Sequence, residues 1–124
     1  MYSVISTAIL HGISAILVQV ETDISNGMPS FEMVGFLSAE VREAKERVRA
    51  ALKNCELALP VKRITINISP AFIKKSGSGF DLPIAVSILT AQHLIPDDLG
   101  DQLFVVGEMG LDGSVRGING ILPM

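Results

Sequence analysis

The sequence predicts a single α+β domain in which a mixed β-sheet packs with two main helices. Three observations predict it. The chain has 124 residues, the right size for one hydrophobic core. Its first third is β-rich and alternating, whereas two later segments read as helices, one by its periodicity and one by its N-terminal signals. RITINIS (63–69), with clear strand character, lies between those two segments, so strands and helices share the core.

VISTAIL (4–10) and ISAILVQVETDI (13–24) are rich in β-branched residues and meet at a His11–Gly12 turn signal. In the second, Val18, Val20 and Thr22 share one face while Gln19, Glu21 and Asp23 share the other, the pattern of a half-exposed strand. Asn26–Gly27–Met28–Pro29 breaks the chain, and FEMVGF (31–36) reads as a third short strand. These three are expected to form an antiparallel meander. Ser38 then caps a helix, SAEVREAKERVRAALKNC. Val41, Ala44, Val48, Ala51, Leu52 and Cys55 form its expected buried stripe, and Glu43 and Arg47 are spaced as i,i+4 partners.

After the 63–69 strand, ended by Pro70, comes KKSGSGFDLPIAVSIL (74–89). Gly77 and Gly79 are expected to turn the backbone, Gly79 with positive φ. Asp81 is placed to N-cap the second helix, with Pro83 tolerated in its first turn, where an N–H has no intrahelical partner. That helix, LPIAVSILTAQHLI, is apolar nearly all round and is therefore expected to be central. LFVVGEM (103–109) reads as an apolar strand within the sheet, Leu111–Asp112–Gly113–Ser114 as a hairpin turn, and Val115 as the start of a last strand. GILPM has no terminating signal and reads as a boundary inside a longer protein.

The chain is 48% hydrophobic, yet no apolar run reaches the roughly 18 residues of a membrane helix. One cysteine, Cys55, excludes an intrachain disulfide, and the chain opens without a basic–apolar leader. The expected location is the cytoplasm, with no membrane partner. The net charge of −3 hides an asymmetry. Nine of the ten lysines and arginines lie between Arg42 and Lys75, with only Glu43, Glu46 and Glu56 among them, a local net of +6. Arg42, Lys45, Arg49 and Lys53 fall on one arc of the first helix, and Lys62, Arg63, Lys74 and Lys75 extend the basic stretch. No aromatic residue interleaves with them, so the expected nucleic-acid contact is to phosphates.

The glycine-rich loop does not read as a nucleotide site. A phosphate-binding loop places its lysine after the second glycine; here the lysines precede, and Asp81 would repel an anion at the helix N-terminus. Ser78 as a nucleophile would need His11, His93, Lys74 or Lys75 as base, and none belongs to a recognisable triad. No His, Cys and carboxylate group has metal-ligand spacing. The expected catalytic, cofactor and metal residues of this chain are therefore none.

GMPSFEMVGF, SAEVREAKERVRAALKN, LPVKRITINISPAFIKKSGSGFDLPIAVSIL and VVGEMGLDGSVRGINGILP together resemble the N-terminal domain of the Mg-chelatase-like proteins, the YifB and ComM family. The resemblance runs along nearly the whole chain. It implies that residues 1–124 are a Lon-like domain followed by an AAA+ module beyond this chain. That module would bind ATP and Mg²⁺ and assemble a homo-oligomeric, hexameric ring. The family is similar to DNA-binding ATPases that drive branch migration during competence; magnesium chelation is a name inherited from the ATPase similarity.

The domain in turn resembles the Lon proteolytic domain, in a fold shared with GHMP kinases and domain IV of elongation factor G. In the Lon pattern Lys-Asp-Gly-Pro-Ser-Ala-Gly, Lys75 and Gly77 match, the nucleophilic serine falls at Gly79 and Ser78 takes the proline position. The activating lysine falls at Leu122. The resemblance thus implies a catalytically silent accessory domain, a pseudo-peptidase that contacts DNA or organises subunits. The rival expectations are a purely structural oligomerisation module and a residual peptidase.

Overall fold

A computed structural model describes residues 1–11, 14–57, 59–77, 79–96 and 105–116. The elements run β1 (Tyr2–His11), β2 (Ser14–Ser25), β3 (Ser30–Val34), α1 (Ala39–Arg42), α2 (Ala44–Asn54), β4 (Arg63–Ser69), α3 (Asp81–Ala91), β5 (Glu108–Met109) and β6 (Val115–Arg116). The fold class is the expected α+β, with a mixed four-stranded sheet.

The sheet order is β1-β2-β4-β3, so the first three strands are not a meander. β1 and β2 form an antiparallel hairpin in register Tyr2↔Asp23 to His11↔Ser14. β4 inserts between β2 and β3, antiparallel to β2 (Val20↔Ile68, Ile24↔Ile64) and parallel to β3 (Phe31↔Ile64, Met33↔Ile66). The sequence between β3 and β4 explains this. A parallel pair needs a long crossover, and the helical segment 39–54 supplies one. RITINIS also suits a central strand, because Ile64, Ile66 and Ile68 alternate onto one buried face. Val18, Val20 and Thr22 share that buried face, as their period of two requires.

Among the described residues the helices cover this face only. α3 packs on β1 and β2 and against α2, burying Ile84, Ala85, Ile88 and Ala91. α2 contributes Val48, Ala51 and Leu52. Each fully buried Ile or Leu is worth about 1.5–3 kcal/mol, so this layer carries the domain's stability. A short polar chain crosses it. The Thr22 and Ser87 hydroxyls share a hydrogen bond at 2.6 Å, and Ser3 Oγ donates to the Ser87 carbonyl at 2.6 Å, fixing α3 on the first hairpin. Among the described residues no helix is long and apolar enough to cross a membrane.

The first helix is interrupted at Glu43. Ser38 caps it as expected, accepting from Val41 N–H at 3.2 Å. In an unbroken helix the Glu40 carbonyl would accept from Ala44 N–H; here it takes Arg47 Nη2 at 3.1 Å, a side chain entering the ladder. Cys55 does not join the buried stripe. It lies one residue past the helix end and is exposed.

The C-terminal region also departs from expectation. Among the described residues its strand is only Glu108–Met109, paired with Val115–Arg116 in a separate two-stranded ribbon. Val105 N–H still reaches Ser6 O at 2.9 Å, on the edge of β1. The 111–114 turn forms as read. Asp112 Oδ1 accepts from Ser114 N–H at 3.0 Å, and Gly113 takes φ 93°. A Cβ on Gly113 would collide with Cys55 Sγ, so this turn packs tightly on the end of α2.

Candidate nucleic-acid interface

The crossover that makes β3 an edge strand also gathers the basic residues around it. Phe31 and Met33 point towards the helices, while Glu32 and Val34 are exposed on the other face. β3 pairs with β4 on one side, and the described residues place no further strand on the other. Ser30 N–H bonds inward to Lys62 O at 3.4 Å. In a parallel pair alternate residues bond to the same side, so Phe31 and Met33 turn their backbone groups off the sheet edge.

Three adjoining recesses follow this strand. The first, about 300 Å³, lies between β3, α2 and the segment entering β4, and holds Arg49 and Lys62 beside Pro29, Leu59, Pro60 and Val61. The second, about 170 Å³, holds Arg42 and Lys45 with Phe31, Glu32 and Met33. The third, about 370 Å³, holds Arg63 with Met28, Pro29 and Glu32. Five of the eight expected basic contacts are thus brought to one edge by two separate stretches of chain, 42–49 and 62–63. Arg42, Arg49 and Arg63 are exposed, and Lys45 and Lys62 are half-buried. Among the described residues none of these five is in a salt bridge. Lys53 is exposed on the last turn of α2, outside the three recesses.

The remaining two do not belong to this surface. Lys74 is exposed and sits 5.9 Å over the Phe36 ring, beyond the C-terminal end of β3. Lys75 is a correction. It is 0% exposed, and its Nζ donates to Pro70 O at 2.5 Å. Its backbone explains why: Lys75 bridges to Leu37, donating to Phe36 O and accepting from Ser38 N–H, which aims the side chain inward. Burial lowers the pKa of its ammonium, with no carboxylate near enough to offset it.

Asp81 is the second correction. Phe80 occupies the N-cap position, its carbonyl accepting from Ile84 N–H, and no side chain caps the helix. Asp81, 0% exposed, accepts instead from Arg47 Nε at 2.7 Å, Arg47 Nη2 at 3.0 Å and Met109 N–H at 3.1 Å. The hydrogen bonds that Arg47 donates to the Asp81 carboxylate raise the guanidinium pKa. Arg47 therefore pairs across helices rather than with Glu43. Its omission from the Arg42–Lys45–Arg49–Lys53 arc is the signal that could have found this. Pro83 is buried in the first turn, as its missing N–H allows.

Gly77 takes φ 92°, supplying the expected turn. Gly79 is buried, and its carbonyl accepts from Gly107 N–H at 3.1 Å. Its φ is defined together with Ser78, which, like Leu122, lies outside the described residues. The apolar wall beside Arg49 and Lys62 was missed in the sequence. The two prolines at 29 and 60, each shortly before a strand, were the available signal.

Relatives carry the same stretch of sequence. The chain is 44% identical over 112 residues to the competence protein ComM of Haemophilus influenzae, covering 90% of this chain and 22% of ComM. It is 39% identical over 120 residues to YifB of Escherichia coli, covering 97% of this chain and 24% of YifB. YifB of Salmonella typhimurium is 40% identical over 122 residues, with 94% and 24% covered. The chain thus spans less than a quarter of the length of these relatives. The profile of the family described as subunit ChlI of Mg-chelatase matches residues 20–124, and with these relatives it establishes that the chain belongs to that Mg-chelatase-like family.

Proposed function

We propose that this is a catalytically silent, Lon-like accessory domain of a larger AAA+ motor, and that it contributes a basic edge for nucleic-acid contact. The observation that carries the reading is the convergence of Arg42, Lys45, Arg49, Lys62 and Arg63 on β3 without ion-pair partners among the described residues. Cations without ion-pair partners at one strand edge attract a polyanion, and this supports nucleic-acid contact over a purely structural role. ATP hydrolysis and its Mg²⁺ requirement belong to the downstream module, and assembly of a ring multiplies weak contacts through avidity. The name of one relative, a competence protein, fits a nucleic-acid role.

The peptidase reading is disfavoured by the residues themselves, because glycine and leucine stand at positions 79 and 122, where the Lon pattern has its serine and lysine. The test is charge reversal in the full-length protein. Arg49→Glu with Lys62→Glu should weaken DNA binding at low salt and reduce the salt slope by about 2, near 0.9 for each phosphate no longer neutralised. Affinity and slope equal to wild type would leave the structural oligomerisation module as the better reading.

A further inference from the structure

The recess holding Arg49 and Lys62 is built for more than phosphate. Pro29, Leu59, Pro60 and Val61 line the same opening as the two cations, and Val61 is 83% exposed there. An occupant complementary to this lining offers an apolar surface and a negative charge a short distance apart. A nucleotide unit does so, its base against the proline–valine wall and its phosphate between the guanidinium and the ammonium. At about 300 Å³ the recess is at the small end of ligand sites, the scale of one such unit.

We infer that this recess seats one unstacked nucleotide of a single-stranded nucleic acid, with the strand continuing along the edge of β3 that pairs with no other strand among the described residues. The inference rests on the nucleic-acid reading above and goes beyond the phosphate-only contact expected from the sequence. A duplex cannot satisfy the site, since its bases stay stacked inside and only its phosphates meet the protein. The charge pattern selects this recess among the three. Glu32 lines both of its neighbours and repels phosphate, whereas no acid lines the Arg49–Lys62 recess. The five residues of β3 give the strand about 13 Å of edge to follow. Arg42, Lys45 and Arg63 flank that path.

The full-length protein is titrated with labelled oligothymidylate and with a duplex of equal length. Val61→Ser removes apolar wall without adding charge, at a position exposed enough to spare the fold. It should lower the ratio of single-strand to duplex affinity about tenfold, and Val61→Tyr, which supplies an aromatic face, should raise it. A ratio unchanged in both variants overturns the inference. Arg49→Gln with Lys62→Gln separates this failure from that of the underlying reading: if both affinities stay at wild type, the basic edge itself is not a nucleic-acid surface. Thymidine monophosphate is the third arm. Displacement of the oligonucleotide by stoichiometric free mononucleotide would make the recess a mononucleotide pocket and overturn the strand assignment, while the absence of displacement supports it.

Discussion

Removing Arg47 tests the central polar joint of the domain. Asp81 is 0% exposed and sits where α2, the first turn of α3 and β5 meet. Arg47→Met leaves its carboxylate with the Met109 N–H alone. The two bonds removed, at 2.7 and 3.0 Å, are charge-assisted, each worth roughly 1.5–3 kcal/mol. Orphaning one member of a buried pair costs about 3–5 kcal/mol in comparable sites. The Arg47 side chain is 24% exposed, so water can partly replace it, and the lower end, about 3 kcal/mol, is expected. Native-state hydrogen exchange in the full-length protein reads this directly. A loss of about 3 kcal/mol accelerates opening of α3 and β5 roughly a hundredfold, provided they open with the joint. Asp81→Asn combined with Arg47→Met should recover much of the loss, since no buried charge is then left alone. Exchange in Arg47→Met within a factor of about 3 of wild type, well below 1 kcal/mol, would refute the claim that the pair holds these elements together.

The buried lysine should behave in the opposite sense. The Lys75 pKa is lowered by burial, so between that value and the ordinary lysine value the unfolded chain binds the proton more strongly, and stability rises with pH through that window. Lys75→Met should abolish that alkaline rise and, at neutral pH, stabilise the domain on the order of 1 kcal/mol, net of the bond to Pro70 O, as read by exchange of the 70–77 backbone. For the loop serine, Ser78→Ala should leave folding and DNA binding of the full-length protein at wild-type levels, with no casein cleavage before or after; cleavage abolished by the substitution would restore the peptidase reading.

Much of this fold was legible because single periodicities decided it. Alternation placed Val18, Val20, Thr22 and the three isoleucines of β4 on one face, and the absence of a polar stripe in 82–91 announced a covered helix. Strand neighbours were not legible, since periodicity says which face is buried and nothing about what lies beside a strand. The position of β4 between β2 and β3 is a consequence of the parallel crossover, a tertiary fact. Asp81 shows a second limit. Its place before a helix favoured a cap, but a carboxylate in reach of a guanidinium makes stronger bonds than a cap does, and Arg47 is 34 residues away in sequence. Lys75 failed for a related reason, because charge counting treats every lysine as solvated.

The same crossover that defeated the meander explains why the chain's charge asymmetry becomes a surface. Arg42, Lys45 and Arg49 leave the connection between β3 and β4, and Lys62 and Arg63 arrive at its end. A crossover must begin and finish beside its own two strands, so both sets of cations return to the β3–β4 side of the sheet. The acids Glu21 and Asp23 are carried away on β2, with Glu21 held by Tyr2 Oη and Asn67 Nδ2. An acidic protein thereby keeps a cationic edge assembled from the two ends of one crossover. The edge needs a parallel β3 to exist, and β3 needs the cations' own helix to be parallel. Topology and electrostatics are here one feature, and that is why the basic stretch marks the interface even though Lys53, Lys74 and Lys75 lie off it.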